Sequence, residues 1–138
     1  MTEPNAVAFE LVLCAAAMPN PADRSTVDMR AAGLRHAPSG SPHVAVVFVK
    51  VPPARFGETF DLAMDLLDEN GEQVHGPGPS GSVPVCRDFT IEVPQAQAGS
   101  GAQVWAGAYA QGAPPLPPGA YQWRVALDGQ VRTESIST

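Results

Sequence analysis

Three histidines, two cysteines and a scatter of carboxylates are the groups from which any chemistry here would have to be built. His36, His43 and His75 could offer imidazoles to a metal. None stands at a His-x-His or His-x-x-x-His spacing, and a zinc site usually shows more of its ligands locally. They read as solvated loop histidines. Ser80-Gly81-Ser82 and Gly99-Ser100-Gly101 place serines between glycines. Neither falls between a strand and a helix, as a nucleophile elbow requires. Cys86 beside Arg87 suggests a lowered thiol pKa. Strand neighbours point to opposite faces, so the two groups would not meet. Asp61 and Asp65 would share a strand face about 13 Å apart, whereas paired glycosidase carboxylates stand roughly 5–10 Å apart. Asp68, Glu69 and Glu72 cluster at a turn without the spacing of an EF-hand loop, and read as solvated turn acids. Neither a Walker loop nor a dinucleotide fingerprint is present. No catalytic residue, cofactor or metal ligand is assigned on this basis.

Aromatic side chains are the remaining candidates. Trp105, Tyr109, Tyr121 and Trp123 lie on two late segments. Displayed on a sheet face, Trp105 and Tyr109 would form a platform for stacking sugar rings. Turned inward, all four would fill the core. Tyr121 and Trp123 alternate with Gln122 and Arg124, which favours the core.

The composition narrows the choice of partner. The net charge is −6, and the eight Lys and Arg residues are scattered, so no basic stripe faces a phosphate backbone. Nucleic acid is therefore not an expected partner. No run reaches the ~18 apolar residues of a membrane span. The leader Met1-Thr2-Glu3-Pro4-Asn5 lacks the positive charge of a secretory signal. A cytoplasmic or virion-assembled protein is expected. Cys14 and Cys86 do not make a disulfide framework. They read as reduced thiols, with a single bridge between sheets as the alternative.

The elements that must position these residues are short and punctuated. The chain has 15 Pro and 13 Gly, clustered between apolar runs, which is an all-β pattern. Its length suits one domain over 1–138, with 1–5 flexible. Residues 6–18 read as a first strand, with a helix as the rival because of their alanines. Arg24 to Arg35 form a second strand, with a bulge at Ala32-Gly33-Leu34. His43 to Val51 is greasy on both faces and should be a central strand. Thr59 to Asp68 alternates as a strand, although Phe60, Ala63, Met64 and Leu67 also fit a helix; Asp68-Glu69-Asn70-Gly71 is a hairpin turn. Glu72 to His75 would return, and 75–82 would be a flexible loop. Val83 to Val93 and Gln103 to Ala110 are further strands. Tyr121 to Leu127, the Asp128-Gly129 turn and the edge strand from Val131 to Ile136 make the firmest hairpin. Eight or nine strands separated by turn signals favour a β-sandwich.

Leu116-Pro117-Pro118-Gly119-Ala120-Tyr121 resembles the tyrosine corner of immunoglobulin-like Greek-key sandwiches, with Leu116, Gly119 and Tyr121 as its structural residues. A second resemblance covers about Ala8 to Ile136. It rests on the apolar opening with Cys14, the second strand ending near Gly33, and the hairpin from Pro118-Gly119-Ala120-Tyr121 to Asp128-Gly129. Together these are similar to a family of small, uncharacterised bacterial and phage-associated immunoglobulin-like β-sandwich proteins. Members commonly carry an acidic residue after the cysteine, where this chain has Ala15. The family implies the sandwich fold of about eight strands and brings no catalytic residues. The expected function is a non-enzymatic structural module working through protein–protein contacts, for instance as a phage or virion accessory protein. Contacts with another protein would use the Gly-, Pro- and Ser-rich loops 37–42, 76–82, 94–101 and 111–118, and self-association would use strands 43–51 or 130–136. The alternative is a small-ligand or carbohydrate-binding module using Trp105 and Tyr109.

Overall fold

Alternating apolar residues turn one face of each strand inward, and the register of pairing lines these faces up. A computed structural model describes residues 6–19, 27–37, 41–78, 81–95 and 104–138. Among them the chain is all-β, apart from one 3-10 turn at Pro53–Arg55. The strands are β1 (Ala8–Cys14), β2 (Ala16–Pro19), β3 (Val27–Arg30), β4 (His43–Val51), β5 (Thr59–Leu67), β6 (His75–Gly78), β7 (Gly81–Pro84), β8 (Cys86–Glu92), β9 (Trp105–Ala113), β10 (Ala120–Leu127) and β11 (Gln130–Ser137).

Two antiparallel sheets carry the core. One has the order β1-β4-β9 and the other β11-β10-β5-β8. The step from β4 to β5 leaves the first sheet, and the step from β9 to β10 leaves it again. β4 lies beside β9 in one sheet while β5 lies beside β10 in the other. Phe9, Leu11 and Leu13 of β1 and Val47 and Val49 of β4 join Leu62, Met64, Trp123 and Val125 of the other sheet in one buried cluster. Two hairpins, β2-β3 and β6-β7, stand apart from these sheets.

Local turn chemistry explains the joints. Asp128 and Gly129 both have positive φ, 50° and 75°, which is the geometry of a two-residue type I′ hairpin. The Asp128 carboxylate accepts two bonds from the Arg55 guanidinium, each 3.1 Å, and Arg55 also reaches Glu58 at 2.7 Å. These bonds, with Asp128 first, hold the guanidinium further towards its charged form. They tie the 3-10 turn to the tip of the β10-β11 hairpin. At the turn after β5, Asp68 Oδ1 accepts the N–H groups of Asn70 and Glu72 at 2.9 and 3.0 Å, an Asx-type closure.

Several expectations change. Residues 6–18 are not one strand: the chain breaks at Ala15, and β2 pairs with β3 rather than continuing the first sheet. Ala15 N–H instead donates to Arg30 O at 2.8 Å. The bulge expected near Gly33 is a turn, with Gly33 and Leu34 both donating to Leu13 O. The 75–82 loop contains the pairing residues of β6 and β7, and the run 83–93 is split at Val85. Val85 leaves the ladder to donate to Val74 O at 2.7 Å, which keeps its side chain in the core. Residues 1–5, Ser80, Ser100 and most of the 94–101 loop lie outside the described residues.

Candidate functional site

The sheet registers sort every side chain to a face, and the two outer faces differ in chemistry. On the three-stranded sheet the outward rows are Ala8–Lys50–Ala106, Glu10–Phe48–Ala108, Val12–Val46–Ala110 and Cys14–Val44–Gly112. Val12, Val44, Phe48, Ala106, Ala108 and Ala110 are half-buried there, and Val46 and Cys14 are fully buried. On the four-stranded sheet the outward positions include Asp61, Asp65, Asp88, Glu92, Gln122, Arg124, Thr133 and Ser135. Arg124 reaches Asp65 at 3.4 Å and Gln73 reaches it at 3.1 Å. One face is therefore apolar and the other acidic.

β4 has neighbours on both sides, so the 43–51 strand can offer a partner only its outer face and not its edge. β11 occupies an edge of its sheet. Its residues Val131 to Glu134 line an open groove of about 380 Å³ with Phe9 and Glu10 of β1.

Trp105 and Tyr109 lie on the inward side of β9, opposite Val51 and Val47, and both pack half-buried against the core. Tyr109 stacks at a tilt on Phe89, with centroids 5.1 Å apart. A Cβ on Gly107 would stand 2.7 Å from the Trp105 ring. The missing side chain at Gly107 is what allows the indole to lie along its own strand. Neither ring is laid out as an exposed sheet-face platform.

At the corner, the Tyr121 hydroxyl donates to Pro117 O at 2.8 Å and its ring passes 3.6 Å from the Cβ position of Gly119. Leu116 is buried. An open concavity of about 470 Å³ lies beside this corner, lined by Arg35, Asp68, Glu69, Tyr121, Gln122 and Ser135 among others.

The histidines do not converge, and among the described residues no three metal-ligating side chains cluster. His36 and His75 are exposed and bond to Ser137 Oγ and Gln73 O, each at 3.1 Å. His43 overturns the expectation of a solvated loop histidine. It is 1% exposed, and its Nε2 accepts the Trp123 indole N–H at 2.8 Å. The reason is parity: His43 shares the inward side of β4 with Ala45, Val47 and Val49. That signal was present in the sequence, since the strand was expected to start at His43 and every second residue after it is apolar.

Both cysteines are free. Cys14 is buried and its thiol donates to Val44 O at 3.6 Å. Burial pushes its pKa up, against a smaller opposing effect of the Ala16 backbone. The Cys86 thiol is also pushed up, first by burial and then by Asp65 and Asp88. Both shifts disfavour the thiolate, which is the reactive form. With a thiol-specific chromogenic reagent at pH 7, Cys86 should react slowly in the folded protein. Cys14 should react only after denaturation. Rapid stoichiometric labelling of both thiols under native conditions would contradict this arrangement.

Among the described residues no helix is long and apolar enough to cross a membrane. Comparison of the chain with protein-family models, curated proteins and solved structures finds no match in any of the three.

Proposed function

We propose that this chain is an immunoglobulin-like Greek-key sandwich with no enzymatic activity, which works by pairing with a second copy of itself through the outer face of its three-stranded sheet. The fold assignment is supported by strand order. β1, β4 and β9 would take the places of strands A, B and E, and β5, β10 and β11 those of C, F and G. Tyr121 would then stand at the start of strand F, where the tyrosine corner belongs. The resemblance to small bacterial and phage-associated sandwiches supports a structural part in a larger assembly, in the cytoplasm or a virion.

The observation that carries the functional reading is the contrast between the outer faces. The half-buried apolar side chains Val12, Phe48, Ala108 and Ala110 on this face favour fuller removal from water. A second copy suits this face electrostatically. It bears one acid, Glu10, and one base, Lys50, on adjacent strands. Two such faces can be brought together without a like-charge clash. The opposite sheet would set Asp61, Asp65, Asp88 and Glu92 against their own kind. The placement of Trp105 and Tyr109 on the inward side gives the glycan-platform reading no comparable support.

Sedimentation velocity across a concentration series tests this. The protein should form a dimer that the double variant Phe48→Asp/Ala108→Asp dissolves, while Thr133→Asp on the other sheet leaves it intact. A monomer at every concentration up to millimolar, or a dimer indifferent to the Phe48/Ala108 row, would refute it.

A further inference from the structure

Trp123 and His43 join the two sheets by a buried contact at the start of β4. β4 belongs to the three-stranded sheet and β10 to the four-stranded one, and 80 residues separate the partners along the chain. Trp123 is fully buried, and among the described residues His43 is the buried polar side chain. The rings meet edge to face, 6.0 Å between centroids at 83°. An indole N–H can only donate, so His43 Nε2 must present its lone pair, and the imidazole proton must sit on Nδ1. Nδ1 is buried with no hydrogen-bond partner among the described residues. Among the described residues the neutral ring is thus held by one bond, to Trp123.

Protonation reverses this. A proton on Nε2 removes the lone pair that Trp123 uses and sets two N–H groups against each other. It also places a charge in an apolar site, which is costly unless the charge is paired. Among the described residues, no charged group of the neighbouring elements is bonded to the imidazole. β9 places Ala113 opposite His43 and carries no titratable carboxylate or amine. On β1, Glu10 is on the outer face, and the Cys14 thiol bonds to Val44 O. On β4 itself Lys50 is exposed. On β10 and β5, Arg124 and Asp65 pair with each other on the outer face. Before β4, Arg35 is exposed and His36 bonds to Ser137. On β11, Arg132 lies over the Phe9 ring, and Glu134 is half-buried opposite Trp123 in the register. Burial alone pushes the His43 pKa down, with no carboxylate opposing it.

We propose that the His43–Trp123 bond is an acid-releasable pin between the two sheets, closed while the imidazole is neutral and opened by its protonation. In the immunoglobulin assignment made above, β4 is strand B and β10 is strand F. Trp123 follows the corner tyrosine by two residues, the place of the cysteine that makes the inter-sheet disulfide of antibody domains. This comparison rests on that assignment; the pin itself rests on the contact. A hydrogen bond in this position is indifferent to reductant but sensitive to acid.

The linkage has a definite sign. The folded-state pKa lies below the ordinary 6.5, so the unfolded chain binds the proton more readily. The pin's contribution is complete above pH 6.5 and is lost as pH falls from there towards the folded-state value. Over that interval the unfolding constant should rise by up to about tenfold per pH unit.

Two readouts on the full chain decide it. In an NMR titration from pH 8 to 5, with Trp105→Phe to assign the indole signals, the Trp123 N–H should be protected above pH 7. It should lose protection in step with His43 protonation, at a midpoint below 6.5. In denaturant unfolding between pH 7.5 and 5.5, wild type and the His36→Gln/His75→Gln double variant should share the same loss of stability. His43→Gln, whose amide oxygen accepts the indole N–H without titrating, should be flat. If His43→Gln does not fold, the double variant and the indole signal still decide. The proposal fails if His43 titrates at or above 6.5, if its protonation leaves the Trp123 N–H unmoved, or if the double variant loses the pH dependence.

Discussion

Replacing Trp123 with alanine should cost about 3–5 kcal/mol of stability, the usual range for truncating a buried large aromatic. The ring is fully buried between the sheets and packs against residues of both. Its loss also leaves His43 Nε2 without a donor in the same apolar site. An orphaned buried acceptor adds about 1–3 kcal/mol. A domain of this kind has only about 5–15 kcal/mol in total, so the variant should sit at or near the edge of folding. Trp123→Phe helps to separate the two contributions, because it keeps most of the apolar volume while losing the N–H donor. It should fall between wild type and alanine. Denaturant unfolding at pH 7.5 measures both, as midpoints compared at constant slope. A Trp123→Ala variant within about 1 kcal/mol of wild type would mean that the ring is not the inter-sheet contact described.

Leu62→Ala should cost about 2–5 kcal/mol, whereas Asp61→Ala, one residue away, should stay within about 0.5 kcal/mol. Leu62 is fully buried, between Leu127 on β10 and Phe89 on β8 in the register. Asp61 faces solvent on the other side of the same strand. The pair is a sharp test of register, because a slip of one residue would exchange the two faces. In a chain of this size each kcal/mol moves the melting temperature by roughly 3–4 °C. Leu62→Ala should therefore melt well below wild type and Asp61→Ala close to it. Equal effects of the two substitutions would show that β5 is not held in this register.

The sequence carried most of the strand positions because alternation and turn chemistry are local signals. β4, β5 and the β10-β11 hairpin follow from apolar runs closed by Pro52-Pro53, Asp68-Gly71 and Asp128-Gly129. The helical spacing of Phe60, Ala63, Met64 and Leu67 lost to the strand because β10 and β8 flank β5 on both sides, a tertiary circumstance that no window of residues contains. The break at Ala15 was hidden for the same reason: the carbonyl that takes its N–H belongs to Arg30. Gly76 and Pro77 look like loop residues, yet their backbones pair with Val83 and Ser82. The face of Trp105 has little local signal in β9, where six of nine residues are Ala or Gly. His43 was misread through its company, a Ser-Pro loop, when its parity within the strand pointed inward. The partner that makes it a core residue lies in the other sheet.

The interlocking of β4 and β5 with β9 and β10 also sets an order of events for a newly made chain. Val51 pairs with Trp105 and His43 with Ala113, so the side of β4 that faces β9 stays open until most of the chain has been synthesised. Until then β4, the greasiest strand, presents unpaired backbone to its surroundings, a recognised invitation to aggregation. Non-local pairing of this kind also makes for slow closure, on the order of milliseconds to seconds. The interval between completing β4 and completing β9 is thus when the open edge of β4 is available to pair with another chain.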